Sequence, residues 1–267
     1  MAAEFQIALA QTTISPLPED NVRAAEKWIQ RASHQGADLL VLPEMFMALP
    51  TGEKPLAVLA EPLDGPFISA MSSLAVRYRI FVSCGFWEKV DGDEKRAANV
   101  AVVLDPTGNI LTKYNKIHLF DALNVCESDL MKGGDLLPPL VTIRSFNIGF
   151  AICYDLRFPE LFRNLAVRGA DAVVVPAAWY SGPLKEEHWL TLLRARAIEN
   201  TIYVGGANLC GKRFAGRSAF FDPFGIPLGD GGEGETLIFT RFLRDRIDAV
   251  REKLPVLNHI RKDLFHD

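Results

Sequence analysis

Apolar residues in this chain come in short runs broken by polar stretches, and the runs alternate between strand-like and helix-like patterns. "EFQIALAQ" predicts a first strand, and a helix is expected from about Asn21 to Gln35, with Asp20 as N-cap and Gly36 as its stop. "ADLLVLPE" predicts a short strand buried on both faces. A helix over about Pro66 to Tyr78 precedes a strand at "IFVSCGFW". A hairpin follows, "NVAVVLD" and "NILTKYNK" around a turn at Pro106-Thr107-Gly108. After an irregular stretch to Pro139, "NIGFAIC" predicts a strand, Pro159 to Arg168 a helix and "ADAVVVPAA" a strand. Then come a helix from Glu187 to Asn200, a strand at "IYVGGAN", a hairpin at "SAFFDPFGIPL", a strand at "ETLIFTRF" and a helix from Asp245 to Leu254.

The second half echoes the first. "GADLLVLPE" (36–44) is similar to "GADAVVVPA" (169–177), "RIFVSCG" (79–85) to "TIYVGGA" (201–207), and "LDPTGNI" (104–110) to "FDPFGIP" (221–227), in the same order. Each echo alone is weak, but together they predict two related halves, each with a sheet and helices. A sheet has an apolar face to bury, and packing sheet on sheet with helices outside buries both. The expected fold is therefore α/β, a four-layer α-β-β-α sandwich with two pseudo-symmetric halves, forming a single domain over 1–267.

Composition narrows the class. The chain is 49% hydrophobic and 23% charged, enough apolar material for a sizeable core, and its net charge is −4. The basic residues are dispersed, which argues against nucleic acid as a partner. No apolar run is long enough to span a bilayer, and the N-terminus lacks the basic and apolar regions of a secretion signal, so a cytoplasmic protein is expected. The four cysteines, Cys84, Cys126, Cys153 and Cys210, show no metal-type spacing, and no metal site is expected. Gly229, Gly231 and Gly234 satisfy a literal GxGxxG, but Asp230, Glu233 and Glu235 would repel a pyrophosphate and a strand follows.

Three groups fall at the ends of apolar strands: Glu44, Lys116 and Cys153. In open α/β sheets, ligands bind beyond the carboxyl ends of strands. A thiol needs a base to become a strong nucleophile, and Glu44 could take its proton. Attack on a carbonyl makes an oxyanion that Lys116 and the Tyr154 N–H could stabilise. This set fits acyl transfer.

The blocks "LLVLPE" (39–44), "YNKIHLFD" (114–121) and "GFAICYDLRFPE" (149–160) resemble those of the nitrilase superfamily of carbon–nitrogen hydrolases. The resemblance runs to about residue 262 and implies the catalytic triad Glu44, Lys116 and Cys153, the α-β-β-α sandwich, cofactor-free hydrolysis and a homodimer or higher homo-oligomer. It also implies Glu127, in "CESDLMKGGD", as a further catalytic acid bracing Lys116. True nitrilases usually carry Trp-Glu after the cysteine, whereas "CYDLRFPEL" is similar to the amidases. "PAAW…GP…HW…LLRARAIE" (176–199), the tail "LPVLNHIRKDLF" (254–265) and "VCES" resemble the deaminated glutathione amidase branch. The implied substrate is a small-molecule amide, deaminated glutathione, cleaved to 2-oxoglutarate and cysteinylglycine. The alternative is an ω-amidase acting on 2-oxoglutaramate. More distant readings are an N-carbamoyl amino acid hydrolase and a non-catalytic binding protein.

Around this set, Tyr154, Arg157, His118, Trp179 and His188 are candidate substrate-binding residues. Arg157 either pairs with Asp155 or Glu160 or receives a substrate carboxylate in its guanidinium fork. His118 and His188 read as structural or pocket-lining, and Trp179 as pocket wall or core.

Overall fold

The computed structural model describes residues 4–261 and 263–264. The tail block that runs to Phe265 therefore lies partly outside the described residues. The strands are β1 (Glu4–Gln11), β2 (Leu39–Val41), β3 (Phe81–Lys89), β4 (Ala97–Leu104), β5 (Ile110–Asn115), β6 (Asp121–Ala122) and β7 (Val125–Cys126). They continue with β8 (Leu140–Ile143), β9 (Phe146–Phe150), β10 (Ala172–Ala177), β11 (Tyr203–Asn208), β12 (Ala219–Phe221), β13 (Pro227–Asp230) and β14 (Thr236–Leu243). The helices are α1 (Pro18–His34), α2 (Pro66–Tyr78), α3 (Pro159–Val167), α4 (Lys185–Asn200) and α5 (Arg244–Lys253).

Two six-stranded sheets form, ordered β14-β1-β2-β3-β4-β5 and β13-β12-β11-β10-β9-β8. In the first, β1, β2 and β3 are parallel, with β14 and β4 antiparallel on either side. In the second, β9, β10 and β11 are parallel, flanked by antiparallel β8 and β12. The two halves thus share one strand pattern, and the sequence echoes fall on matching elements: β2 on β10, β3 on β11, and the β4–β5 turn on the β12–β13 turn. The matched turns share their chemistry. Asp105 Oδ1 accepts the N–H groups of Thr107 and Asn109 at 2.8 and 3.0 Å. Asp222 Oδ1 accepts those of Phe224 and Ile226 at 2.9 and 2.7 Å.

Side-chain alternation along the strands makes the layers. Ile7, Leu9, Leu39 and Val41 point into the core shared with the second sheet, while Ala8, Ala10, Leu40 and Leu42 meet α1 and α2. Trp189 and Leu193 of α4 and Phe162 and Leu165 of α3 close the other side. A Cβ on Gly206 would come 2.4 Å from the Trp189 ring, so α4 packs against β11 only because that position is glycine. Between the sheets, Phe242 stacks on Tyr203 at 4.3 Å and also meets Phe5 and Phe220. From α5, Arg244 grips buried Asp171 through both oxygens, at 2.5 and 2.7 Å, and Arg246 reaches Asp222, tying α5 to the second half.

The structure differs locally from expectation. Helix α1 starts at Pro18, whose fixed φ suits a first helical position, so Asp20 lies inside the first turn and accepts the Ser15 hydroxyl instead of capping. Strand β2 stops at Val41 because the chain bends through Pro43 towards Met45, where φ is 57°. Strand β9 stops at Phe150, before Cys153. Two further hairpins form, β6–β7 within the irregular stretch and β8–β9 just after it. Their turns, Leu123-Asn124 and Arg144-Ser145, hold left-handed φ angles without glycine and so lack the usual turn signal.

Phe242→Ala should cost about 3–5 kcal/mol of stability by emptying the space between the sheets. Chemical denaturation measures it, and a loss below about 1 kcal/mol would show that this aromatic cluster does not hold the sheets together.

Candidate active site

Glu44 leaves the end of β2 in a bend pressed against β3. A Cβ on Gly85 would lie 2.6 Å from the Met45 nitrogen, so the bend needs glycine there. The Glu44 side chain is 2% exposed, and both its oxygens are hydrogen-bonded. Its Oε1 accepts from Asn99 Nδ2 at 2.7 Å and from Lys116 Nζ at 2.9 Å. Its Oε2 accepts from the Ala178 N–H at 2.8 Å, which joins the end of β2 to the end of β10 across the sandwich.

Lys116 follows β5, anchored by its own N–H to the Asn99 carbonyl and by its carbonyl to the Gly134 N–H, both at 2.9 Å. Its ammonium has no exposure to solvent. It donates to Glu44 and also to Glu127, at 3.0 Å to Oε1 and 2.8 Å to Oε2. Glu127 is held in turn by the Phe120 N–H at 2.8 Å. Burial alone would pull the Lys116 ammonium down. The negative charges of Glu44, Glu127 and a Cys153 thiolate outweigh it and hold Lys116 well above the ordinary lysine value. Burial pushes the Glu127 carboxyl up, and the Glu44 charge adds to this against the pull of Lys116.

Cys153 opens a short 3-10 turn, Cys153–Arg157, three residues beyond the end of β9, with φ at 45°. Left-handed backbone at a non-glycine residue is strained, and here it aims a side chain out of the strand direction. The thiol is raised well above the ordinary cysteine value, first by burial and then by Glu44 and Glu127, while Lys116 and the Ala178 N–H pull it down. At neutral pH the sulfur is therefore protonated and sits beside a carboxylate and an ammonium. The first hydrogen bond of the turn is Asp155 N–H to Ile152 O, so the Tyr154 N–H precedes the turn's own ladder.

A cavity of about 580 Å³ opens onto this cluster. Glu44, Glu127, Cys153, Tyr154, Arg157 and Trp179 all line it, and Lys116 stands behind that wall. Arg157 pairs with neither Asp155 nor Glu160. Its guanidinium stacks over Trp179 at 4.7 Å and lies 3.5 Å from His188 Nδ1. His118 and His188 correct the pocket-lining reading, because neither reaches the cavity wall. His118 is held away by Asp155, 2.7 Å from its Nδ1, and by the Phe158 ring stacked at 3.6 Å.

Three functional contributions escaped the sequence reading. Asn99 and the Ala178 N–H, which orient Glu44, sit inside apolar strand patterns that look purely structural. Lys185, at a helix start, lines the cavity with its Nζ 5.3 Å from the Phe120 ring and 5.9 Å from the Trp179 ring. Burial and the Arg157 charge lower its ammonium. Among the described residues, no group of three His, Cys, Asp or Glu side chains could hold a metal ion, and no helix is long and apolar enough to cross a membrane.

A buried carboxylate–ammonium–carboxylate cluster beside a strained cysteine can ionise sulfur, hold an oxyanion and return a proton. The chain is similar to known amidases. The chain is 37% identical over 270 residues to the deaminated glutathione amidase of Synechocystis sp., covering 96% of this chain and 97% of that one. It is 33% identical over 275 residues to the omega-amidase NIT2 of Pongo abelii, covering 98% and 97%. The C. elegans NitFhit protein superimposes with a TM-score of 0.91 at 33% identity, over 99% of this chain and 67% of that one. Residues 6–252 match the carbon-nitrogen hydrolase family model, and with this fold and these relatives the chain belongs to that family, within the nitrilase superfamily.

Proposed function

We propose that the protein is a thiol amidase that hydrolyses the amide bond of deaminated glutathione, giving 2-oxoglutarate and cysteinylglycine. One observation carries the reading: Lys116 Nζ bonds both Glu44 and Glu127, which line the cavity together with Cys153. The Cys153 thiol gives its proton to Glu44 as sulfur bonds to the amide carbon. The new oxyanion lies against Lys116 and the Tyr154 N–H, each such donor being worth about 3–4 kcal/mol. Glu44 then protonates the nitrogen, the C–N bond breaks, and cysteinylglycine leaves. Water gives a proton to Glu44 and attacks the thioester, the C–S bond breaks, and the sulfur recovers its proton as the acid departs. Glu127 keeps Lys116 charged and in place throughout.

Arg157 and Lys185 give the cavity its preference. Neither cation has a carboxylate partner among the described residues, and both lie on the Trp179 ring. Two unmatched cations beside a nucleophile favour an acyl group with its own carboxylate, as in the 2-oxoglutaryl half. 2-Oxoglutaramate carries the same half, so ω-amidase activity is the second reading, supported by the omega-amidase relative. The proposal extends to one hydrolase domain over 1–267, working in the cytoplasm as a homodimer or higher homo-oligomer. Four free thiols and the exposed apolar side chains of Ile198, Phe224, Ile226 and Leu228 support those two points.

Cys153→Ala should reduce kcat/KM about 10⁴-fold or more, and near-normal turnover would exclude the thiol mechanism. Relative kcat/KM for deaminated glutathione and 2-oxoglutaramate decides between the two substrates, the first being expected to lead.

Arg157→Met and Lys185→Met should each raise KM for 2-oxo-acid amides about 10- to 100-fold and change turnover of a neutral amide such as butyramide far less. Equal losses on both substrates would remove these cations from acid recognition.

In Glu44→Gln, amide turnover should collapse while the Cys153 thiol becomes more acidic, because the charge that raises it is gone. The iodoacetamide alkylation midpoint at Cys153, followed by peptide mass spectrometry, should move to lower pH. A midpoint that stays put or rises would break the proposed coupling.

A further inference from the structure

Asp155 is fully buried and does not line the cavity, yet it touches the segments that carry both Lys116 and Cys153. Its Oδ2 accepts the Tyr114 hydroxyl at 2.8 Å and the Ile152 N–H at 2.8 Å. Its Oδ1 accepts the His118 N–H at 3.2 Å and lies 2.7 Å from His118 Nδ1. Tyr114 and His118 stand two residues before and two residues after Lys116, and Ile152 immediately precedes Cys153. The Lys116 segment continues from β5 in the first sheet and the Cys153 turn from β9 in the second, and no strand pairing joins the two sheets there.

We propose that Asp155 is a positioning residue for the reaction, a clamp that fixes the Cys153 turn against the Lys116 segment across the sheet interface. This rests on the reading of Cys153 as nucleophile and Lys116 as oxyanion donor. The residue type follows from the donors. Each carboxylate oxygen takes one backbone N–H, from Ile152 on one side and His118 on the other. An amide at this position would turn its NH₂ towards one of those N–H groups whichever way it flipped, and the pair would push apart. Tyr114 and His118 are the titratable groups that face Asp155, and burial and the Asp155 charge push the Tyr114 phenol well up, so its hydroxyl remains a donor. The clamp has a direct consequence for sulfur. Glu44 and Glu127 push the Cys153 thiol up, and the Lys116 ammonium, with the Ala178 N–H, pulls it down. Loosening the clamp lets that cation drift.

The test is Asp155→Asn beside Tyr114→Phe, which removes the hydroxyl, with its long 3.4 Å contact from the Ile117 N–H, and leaves both backbone bonds to Asp155. Melting temperature, kcat, KM and the pH midpoint of iodoacetamide alkylation at Cys153 are measured for each. For Asp155→Asn, kcat should fall about 100-fold, the loss expected for a displacement near 1 Å, with KM within about twofold. The alkylation midpoint should move to higher pH. Tyr114→Phe should lose about tenfold in kcat, with the same direction of alkylation shift, and serves alone if Asp155→Asn does not fold. A lower melting temperature with wild-type kcat and alkylation midpoint would make Asp155 merely structural and overturn the clamp. Inactive Cys153→Ala alongside such a result would overturn the clamp alone, whereas active Cys153→Ala would remove the mechanism it depends on.

Discussion

The site depends on one ammonium held out of water between two carboxylates. Lys116 has no solvent exposure, and both Glu44 and Glu127 lie within 3.0 Å of its nitrogen. Burying a charge is costly, and a buried pair holds only when its partners are hydrogen-bonded as well. Here Asn99 and the Ala178 N–H also donate to Glu44, leaving its Oε2 with a single hydrogen bond, and the Phe120 N–H supports Glu127. Two carboxylates to one ammonium leave an excess of negative charge beside Cys153. That excess, added to burial, keeps the thiol protonated at rest and leaves a carboxylate free to take its proton when substrate arrives.

Sheet-on-sheet packing makes this cluster possible. Glu44 follows β2 in the first sheet, and Cys153 and Ala178 follow β9 and β10 in the second. The Glu44 to Ala178 bond closes the gap between them. Parallel central strands bring their carboxyl ends to one edge of each sheet, where ligand sites of open α/β sheets form. Glycines let the segments around the site approach each other: Gly85 beneath the Glu44 bend, and Gly134 under Asn115, where a Cβ would lie 2.5 Å from a carbonyl oxygen. The aromatic stack of Phe5, Tyr203, Phe220 and Phe242 then fixes the spacing of the two sheets.

Much of this was legible in the sequence because strand ends and repeated turns leave local marks. The echo of 36–44 in 169–177 became β2 and β10, and the Asp-Pro turns at 105 and 222 close on the same hydrogen bonds. Glu44, Lys116 and Cys153 stood out as charged or reactive groups just beyond apolar runs. What stayed hidden depends on contacts between distant segments. Asn99 looks like any polar residue in a strand until Glu44 is laid against it, and the role of Lys185 needs the Trp179 ring beneath it. His118 sits two residues from Lys116 but faces Asp155, because side chains separated by two share a direction only while the strand continues, and β5 ends at Asn115. Strand β8 was missed because Arg144-Ser145 does the work usually marked by Asn-Gly.

The central claim is that an acyl group passes through the sulfur of Cys153. Rapid mixing of enzyme with deaminated glutathione, acid quenching within the first turnover and peptide mass spectrometry test it directly. A 2-oxoglutaryl mass on the peptide containing Cys153, rising and then decaying as 2-oxoglutarate is released, is the predicted result. An acyl group on another residue, or a complete first turnover with Cys153 never modified across the quench series, would contradict it.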